Sequence, residues 1–302
     1  MTAPSRHPLP LFLFLLLIIA ACEAERSPTL PPEDYPRVEP SGLRAAITCK
    51  GDVSASTVSC EVAEPEVPTG VRAGIIVGGQ GEYAELIPSN VCYGVACPFG
   101  GELGVFQVDM SVRNLLGQAL GTKDGTTPDT AGVRVFFHTG PEDGAYIMNP
   151  TGRAIFTKAN AYYYQYGGEI FGAPYSGLGE DGILSPGESS TPLTWKFRLY
   201  RTTGFRFSVY VWAEVQYPNG WVEVPAAVDV PLGGTQTLPA VVREVTGRER
   251  EDAVVTWTSA DPAVATVDAE TGLVTGIAPG TARITAESDG LEAAGTVVVT
   301  VS

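Results

Sequence analysis

Histidine is almost missing from this chain: 302 residues hold two, His7 and His138. Nucleophilic triads need a base, and beyond the first residues only His138 could serve. It lies in Val133-Arg-Val-Phe-Phe-His138, opposite the apolar row Val133, Val135 and Phe137, where a structural role is expected. The sequence has no Gly-x-Ser-x-Gly elbow, no His-Glu-x-x-His pair and no phosphate loop. A carboxylate pair for glycoside hydrolysis depends on distance in space, which no motif here encodes. A non-enzymatic protein without a cofactor is therefore expected.

Positive charge is also scarce. Lys and Arg number 19 against 34 Asp and Glu, a formal charge of −15. Phosphate binding needs clustered Lys and Arg, so nucleic acid is excluded as a partner. A polybasic attraction to anionic lipid is excluded on the same ground. Cysteine is sparse at five, and the wide spacings with a single nearby histidine argue against zinc. Amphipathic helical periodicity is missing too. Glycine (35) and proline (24) are abundant, without a collagen or low-complexity period.

What is present begins with Leu9–Cys22, LPLFLFLLLIIAAC. Arg6 precedes an apolar run, and small residues follow it, the layout of an export signal. The run is about half the roughly 20 residues of a spanning helix. Ile19-Ala-Ala-Cys22 resembles the lipobox of bacterial lipoproteins. That resemblance implies cleavage after residue 21, lipidation of Cys22, and a membrane partner reached through that lipid in the bacterial cell envelope. Residues 22–41 carry Pro28, Pro31, Pro32, Pro36 and Pro40 among charged and small residues. They read as an extended tether rising about 3.1 Å per residue.

From residue 42 the pattern is β. Arg44–Cys49 and Thr57–Val62 flank a polar turn, which places Cys49 and Cys60 across a hairpin. Cys92 and Cys97 enclose a short loop. Four cysteines allow three pairings; the local one, Cys49–Cys60 with Cys92–Cys97, needs the least rearrangement. Export would put them where disulfides persist.

Period-2 alternation marks the middle segment as half-buried antiparallel strands. Phe106, Val108, Met110 and Val112 share one face. Trp195, Phe197 and Leu199 share another, opposite Lys196, Arg198 and Tyr200. Phe205, Phe207, Val209, Val211, Ala213 and Val215 form a third row. Lys123-Asp-Gly125, Glu142-Asp-Gly144, Glu180-Asp-Gly182, Pro186-Gly187 and Pro218-Asn-Gly220 supply turns. The acidic turns at Asp124, Asp129, Asp143 and Asp181 match no calcium loop, and plain turn chemistry accounts for them. Many short strands and turns predict a β-sandwich over 42–227.

Residues 228–302 differ: they hold no lysine and one aromatic, Trp257. Val255-Thr-Trp-Thr-Ser-Ala-Asp-Pro-Ala-Val-Ala-Thr-Val-Asp268 followed by Gly272–Ala286 resembles the bacterial immunoglobulin-like domain of group 2. The resemblance implies a second sandwich, with Trp257 as a core plug. The whole chain is thus expected to be all-β: a signal (1–21), a tether (22–41) and two β-sandwiches, the second Ig-like. Surface display as a spacer or adhesion module would fit.

Aromatic residues offer the candidate binding surface. Tyr162, Tyr163, Tyr164, Tyr166, Phe171 and Tyr175 crowd one stretch, and Tyr210 and Trp212 project opposite the inward row of their strand. Tyr210, Trp212, Tyr164 and Tyr166 are the candidates for stacking on a surface glycan or anchoring a protein. The competing reading is a second small core, with Tyr210 and Trp212 covered by the Tyr162–Tyr175 segment.

Overall fold

The computed structural model describes residues 46–62, 75–97, 101–156, 158–170, 173–174 and 177–301. The signal, Cys22, the tether, Phe171 and Tyr175 lie outside them. Apart from a 3-10 turn at Gly94–Ala96, the regular structure described is all strand.

Strands β1 (Ile47–Asp52), β2 (Thr57–Val62), β3 (Ile75–Val77), β4 (Ala84–Tyr93), β5 (Val105–Asn114), β6 (Val133–Thr139), β7 (Ala145–Ile147), β8 (Gly152–Ala154) and β9 (Ala161–Tyr166) come first. Two short strands follow, β10 (Glu169–Ile170) and β11 (Ala173–Pro174), then β12 (Leu193–Leu199) and β13 (Gly204–Ala213). The larger sheet runs β2-β1-β13-β6-β9-β8, with β3 also on β13; the smaller runs β4-β5-β12-β7.

Alternation decides what the two sheets bury. Phe106, Val108, Met110 and Val112 of β5 and Trp195 and Phe197 of β12 are fully buried. So are Phe205, Phe207, Val209, Val211 and Ala213 of β13. These rows meet in one core, as the period-2 pattern requires. Phe197 stacks on Phe207 at 5.4 Å, and Phe106 meets Phe205 edge-on at 5.2 Å. Gly51 makes room for this: a Cβ there would lie 2.5 Å from the Phe205 ring. Every expected turn glycine has positive φ: Gly125 (83°), Gly144 (80°), Gly182 (74°), Gly187 (78°) and Gly220 (92°).

Both local disulfides form. Cys49 and Cys60 are register partners on β1 and β2, and Cys92 joins Cys97 across the 3-10 turn.

The C-terminal strands are β14 (Trp221–Glu223), β15 (Ala227–Pro231), β16 (Thr235–Thr237), β17 (Val241–Arg243), β18 (Thr256–Ser259), β19 (Ala265–Val267), β20 (Leu273–Gly276), β21 (Gly280–Ser288) and β22 (Leu291–Thr300). They form sheets β15-β22-β21-β18 and β16-β20-β19, with β14 paired to β17. Their core holds Trp257, Ala282, Ile284, Ala286, Val297 and Val299, and it begins at Val222. Gly272 approaches the Trp257 indole so closely that a Cβ would sit 2.8 Å from it.

The two sandwiches interlock. Val245, in the turn after β17, packs in the core of the first sandwich. The Gln118 side chain donates to the Val245 and Tyr217 carbonyls (2.7 and 3.0 Å) and accepts from the Tyr217 N–H (3.0 Å). Gly117 donates its N–H to the Thr246 carbonyl at 2.7 Å.

Candidate functional site

Tyr164 and Tyr166 were expected as candidates for ligand contact, and the structure corrects this. Both are buried, because β9 turns them into the sandwich. Tyr164 stacks on Trp195 (4.5 Å, 6°) and donates its hydroxyl to Asn149. Tyr166 donates to the Met110 carbonyl at 2.7 Å. Burial pushes the Tyr166 phenol well above its ordinary pKa. Neither ring can meet a ligand arriving from solvent.

Tyr210 is corrected in the same way. It projects from the outer face of the larger sheet, as its register requires, yet it is fully buried. Ala46 and Phe156 pack with it, and Trp212, half-buried, joins them. The His138 ring meets Tyr210 edge-on at 5.3 Å. Phe156, in the connection between β8 and β9, also stacks on Phe136 at 4.1 Å. A second small core therefore exists: among the described residues Phe156 and Ala46 cover Tyr210, and from the Tyr162–Tyr175 segment Tyr163 packs against Phe136 at 5.1 Å. The Arg134 guanidinium closes one side, 4.9 Å from the Tyr163 ring and 5.8 Å from Trp212. Its Nε donates to Gln165 Oε1 at 2.9 Å, and burial lowers its pKa.

Three of the acidic turns, at Asp124, Asp129 and Asp181, spend carboxylate oxygens on their own backbones. Asp124 Oδ1 accepts from the N–H groups of Thr126 (2.8 Å) and Thr127 (2.6 Å), which holds the carboxyl well below the usual range. Asp129 and Asp181 accept from Ala131 and Ile183. Lys123 bridges Asp129 (3.2 Å) and Glu214 (3.8 Å), which fills the space between those two carboxylates with a cation. Burial raises the Glu214 pKa. Among the described residues no group of three or more His, Cys, Asp or Glu side chains is placed to hold a metal.

A different aromatic pair faces solvent. Tyr146 of β7 and Tyr200, just after β12, are 60% and 63% exposed. Their rings meet edge-on, 5.5 Å apart at 82°. Arg198 lies directly opposite Tyr146 in the β12–β7 register, on the outward row that also holds Tyr200. Arg198 Nη1 donates to the Leu103 carbonyl at 2.7 Å, and Nη2 donates to Glu102 at 3.2 Å. The three side chains line an open hollow of about 510 Å³. The outward row Lys196, Arg198, Tyr200 was readable from alternation. Its partner Tyr146 sits in a three-residue strand too short to show any period.

Residues 224–300 match the model of the bacterial Ig-like domain (group 2). The C-terminal sandwich is therefore a domain of that family, and the match starts close to Val222, where its core begins. Comparison with curated proteins gives no match. Among solved structures, the chain is similar to domains 4 and 5 of the S-layer protein SbsC. That pair is 22% identical, covering 43% of this chain and 69% of that one, with a TM-score of 0.24. A C-terminal 282-residue intimin fragment, in complex with the intimin-binding domain of the translocated intimin receptor, is 15% identical over 72% of this chain and 64% of that one (TM-score 0.20). Domains 1–6 of SbsC are 17% identical over 85% and 38% (TM-score 0.25). The chain thus spans less than two thirds of the length of the latter two.

Proposed function

We propose that this chain is a non-enzymatic protein of the bacterial cell surface, held to the envelope by lipid on Cys22. Its Ig-like domain serves as a spacer or adhesion module, and its middle sandwich carries the recognition. The observation that carries the reading is the Ig-like domain of residues 224–300 seated on a disulfide-bridged sandwich. Two bridges support an oxidising, extracytoplasmic setting. The apolar run ending in Ile19-Ala-Ala-Cys22 supports the lipid anchor.

Fractionation of cells carrying the unaltered chain or Cys22→Ser tests the anchor, and protease treatment of intact cells tests display. The unaltered chain should partition with membranes and be cut from outside, while the variant should be released. Equal solubility of the two would refute the anchor; protection of the membrane-bound chain in intact cells would refute surface display.

A second reading, a carbohydrate-binding surface protein using an aromatic face, is favoured by one observation. Tyr146 and Tyr200 stand exposed beside Arg198, which supplies an aromatic surface in place of the buried Tyr164, Tyr166 and Tyr210.

A further inference from the structure

We infer that the hollow formed by Tyr146, Arg198 and Tyr200 is a binding subsite for a neutral hexopyranose unit of a surface glycan. The inference rests on the carbohydrate-binding reading above and gives it an address and a ligand class.

The argument starts from what the hollow presents. Two phenol rings at 82°, both more than half exposed, make a corner that presents aromatic surface at two orientations. A pyranose has the matching form: a patch of axial C–H groups on one face and hydroxyls around the rim. C–H groups are attracted to the electron-rich face of an aromatic ring. Arg198 and Glu102 then supply donors and acceptors beside the rings. The guanidinium has five N–H bonds, of which Leu103 and Glu102 take two. Glu102 is half-exposed and keeps lone pairs for a sugar hydroxyl.

Charge selects the class. Glu102 at 3.2 Å already balances Arg198, so an anionic sugar would have to displace a carboxylate from its partner. Lys196 is the next residue on the outward row, on the far side of Arg198 from Tyr200, and the whole chain carries −15. A neutral sugar meets no such opposition.

Size selects a glycan over a protein. The hollow is shallow and open, lined by three side chains, so it can hold only a small unit. Its lining is two rings and one guanidinium, with no apolar core of the kind that anchors a protein interface. A site this open suits one unit of a polymer whose neighbours continue over the surface.

The test is a screen of the purified full chain against neutral and acidic oligosaccharides, followed by titration calorimetry with Tyr146→Ala and Tyr200→Ala. Binding to neutral oligosaccharides should fall about tenfold or more in each variant, with melting unchanged because both rings are exposed. No binding, binding confined to acidic glycans, or neutral binding that both variants retain would overturn the assignment. If either variant failed to fold, saturation-transfer NMR on the unaltered chain would decide. Contact from Tyr ring protons to axial sugar protons supports the site, and its absence sinks it. Loss of cell adhesion in the variants without any glycan binding would point to a protein partner and overturn the glycan class. The screen uses purified protein, so it fails or succeeds independently of surface display, which protease treatment of cells reads separately.

Discussion

Gln118 Nε2 donates a 2.7 Å hydrogen bond to the backbone carbonyl of Val245, joining a loop of the middle sandwich to the Ig-like domain. The same side chain holds Tyr217 by both its N–H and its carbonyl. A buried amide with three partners fixes orientation as well as contact, because each lost partner leaves a desolvated polar group. Beside it Gly117 and Gly247 touch: a Cβ on Gly117 would lie 2.9 Å from the Gly247 Cα. The two sandwiches are thus built to meet in one geometry.

The junction predicts that Gln118→Ala weakens the whole chain. Buried partners left unsatisfied cost about 1–3 kcal/mol each. Calorimetry should show the wild type unfolding in one transition and the variant in two. Two transitions in the wild type would mean that the sandwiches unfold separately despite the contact.

The Ig-like domain has its own core, so it should fold alone, and more stably when the fragment keeps β14. A fragment starting at 226 discards β14 and with it Val222, which is buried in that core. A fragment starting at 218 keeps both. Loss of one buried valine amounts to about 1.5–3 kcal/mol. Denaturant unfolding should place the shorter fragment lower by about that amount, and equal midpoints would show that β14 adds nothing.

Tyr210 and Trp212 divide by burial. Tyr210 is fully enclosed, so Tyr210→Ala should cost about 3–5 kcal/mol, the range for deleting a large buried aromatic. Trp212 is half-buried and lies near the edge of the cation–π range from Arg134, so Trp212→Ala should cost roughly half as much. Thermal melts of the two variants read this directly. A Tyr210→Ala melt matching wild type would show that the outer core contributes nothing.

Much of this was legible in the sequence. Alternation placed the rows of β5, β12 and β13 correctly, because a strand buried on one face repeats every two residues. The Asp-Gly and Pro-Gly turns were legible because positive φ selects glycine. Alternation also put Tyr210 on the outer face, but it could not say that Phe156 would cover it, since a loop from another hairpin carries no period. Tyr164 and Tyr166 were misread because a run of tyrosines hides which rings face inward. The site at Tyr146 and Tyr200 needed the β12–β7 register, a non-local pairing.

The bridges predict unequal losses. Cys49–Cys60 closes a sequence separation of 11 between paired strands at the sandwich core, and Cys92–Cys97 closes one of 5. On the chain-entropy model the longer loop is worth about 2–3 kcal/mol and the shorter one less. Non-reducing peptide mapping should find both pairs. Denaturation of Cys49→Ala/Cys60→Ala should show the larger loss, and the reverse order would contradict the entropic account.

Asp124 predicts the behaviour in acid. Its carboxylate accepts N–H bonds from Thr127 and Thr126 and a hydroxyl bond from Thr122, and these hold its pKa well below the ordinary value of 3.8. A group whose folded pKa is depressed adds stability that is fully present above its unfolded pKa. That contribution is lost as the pH falls through the lower folded value. Asp124→Asn removes the titration while keeping one carbonyl oxygen to cap the turn. The variant should therefore be the less stable at neutral pH, with the gap constant down to about pH 5 and closing below it. Melting curves of both proteins from pH 7 to pH 2 measure the gap. A difference that stays constant across that range would show that the Asp124 carboxylate contributes no pH-dependent stability to the turn.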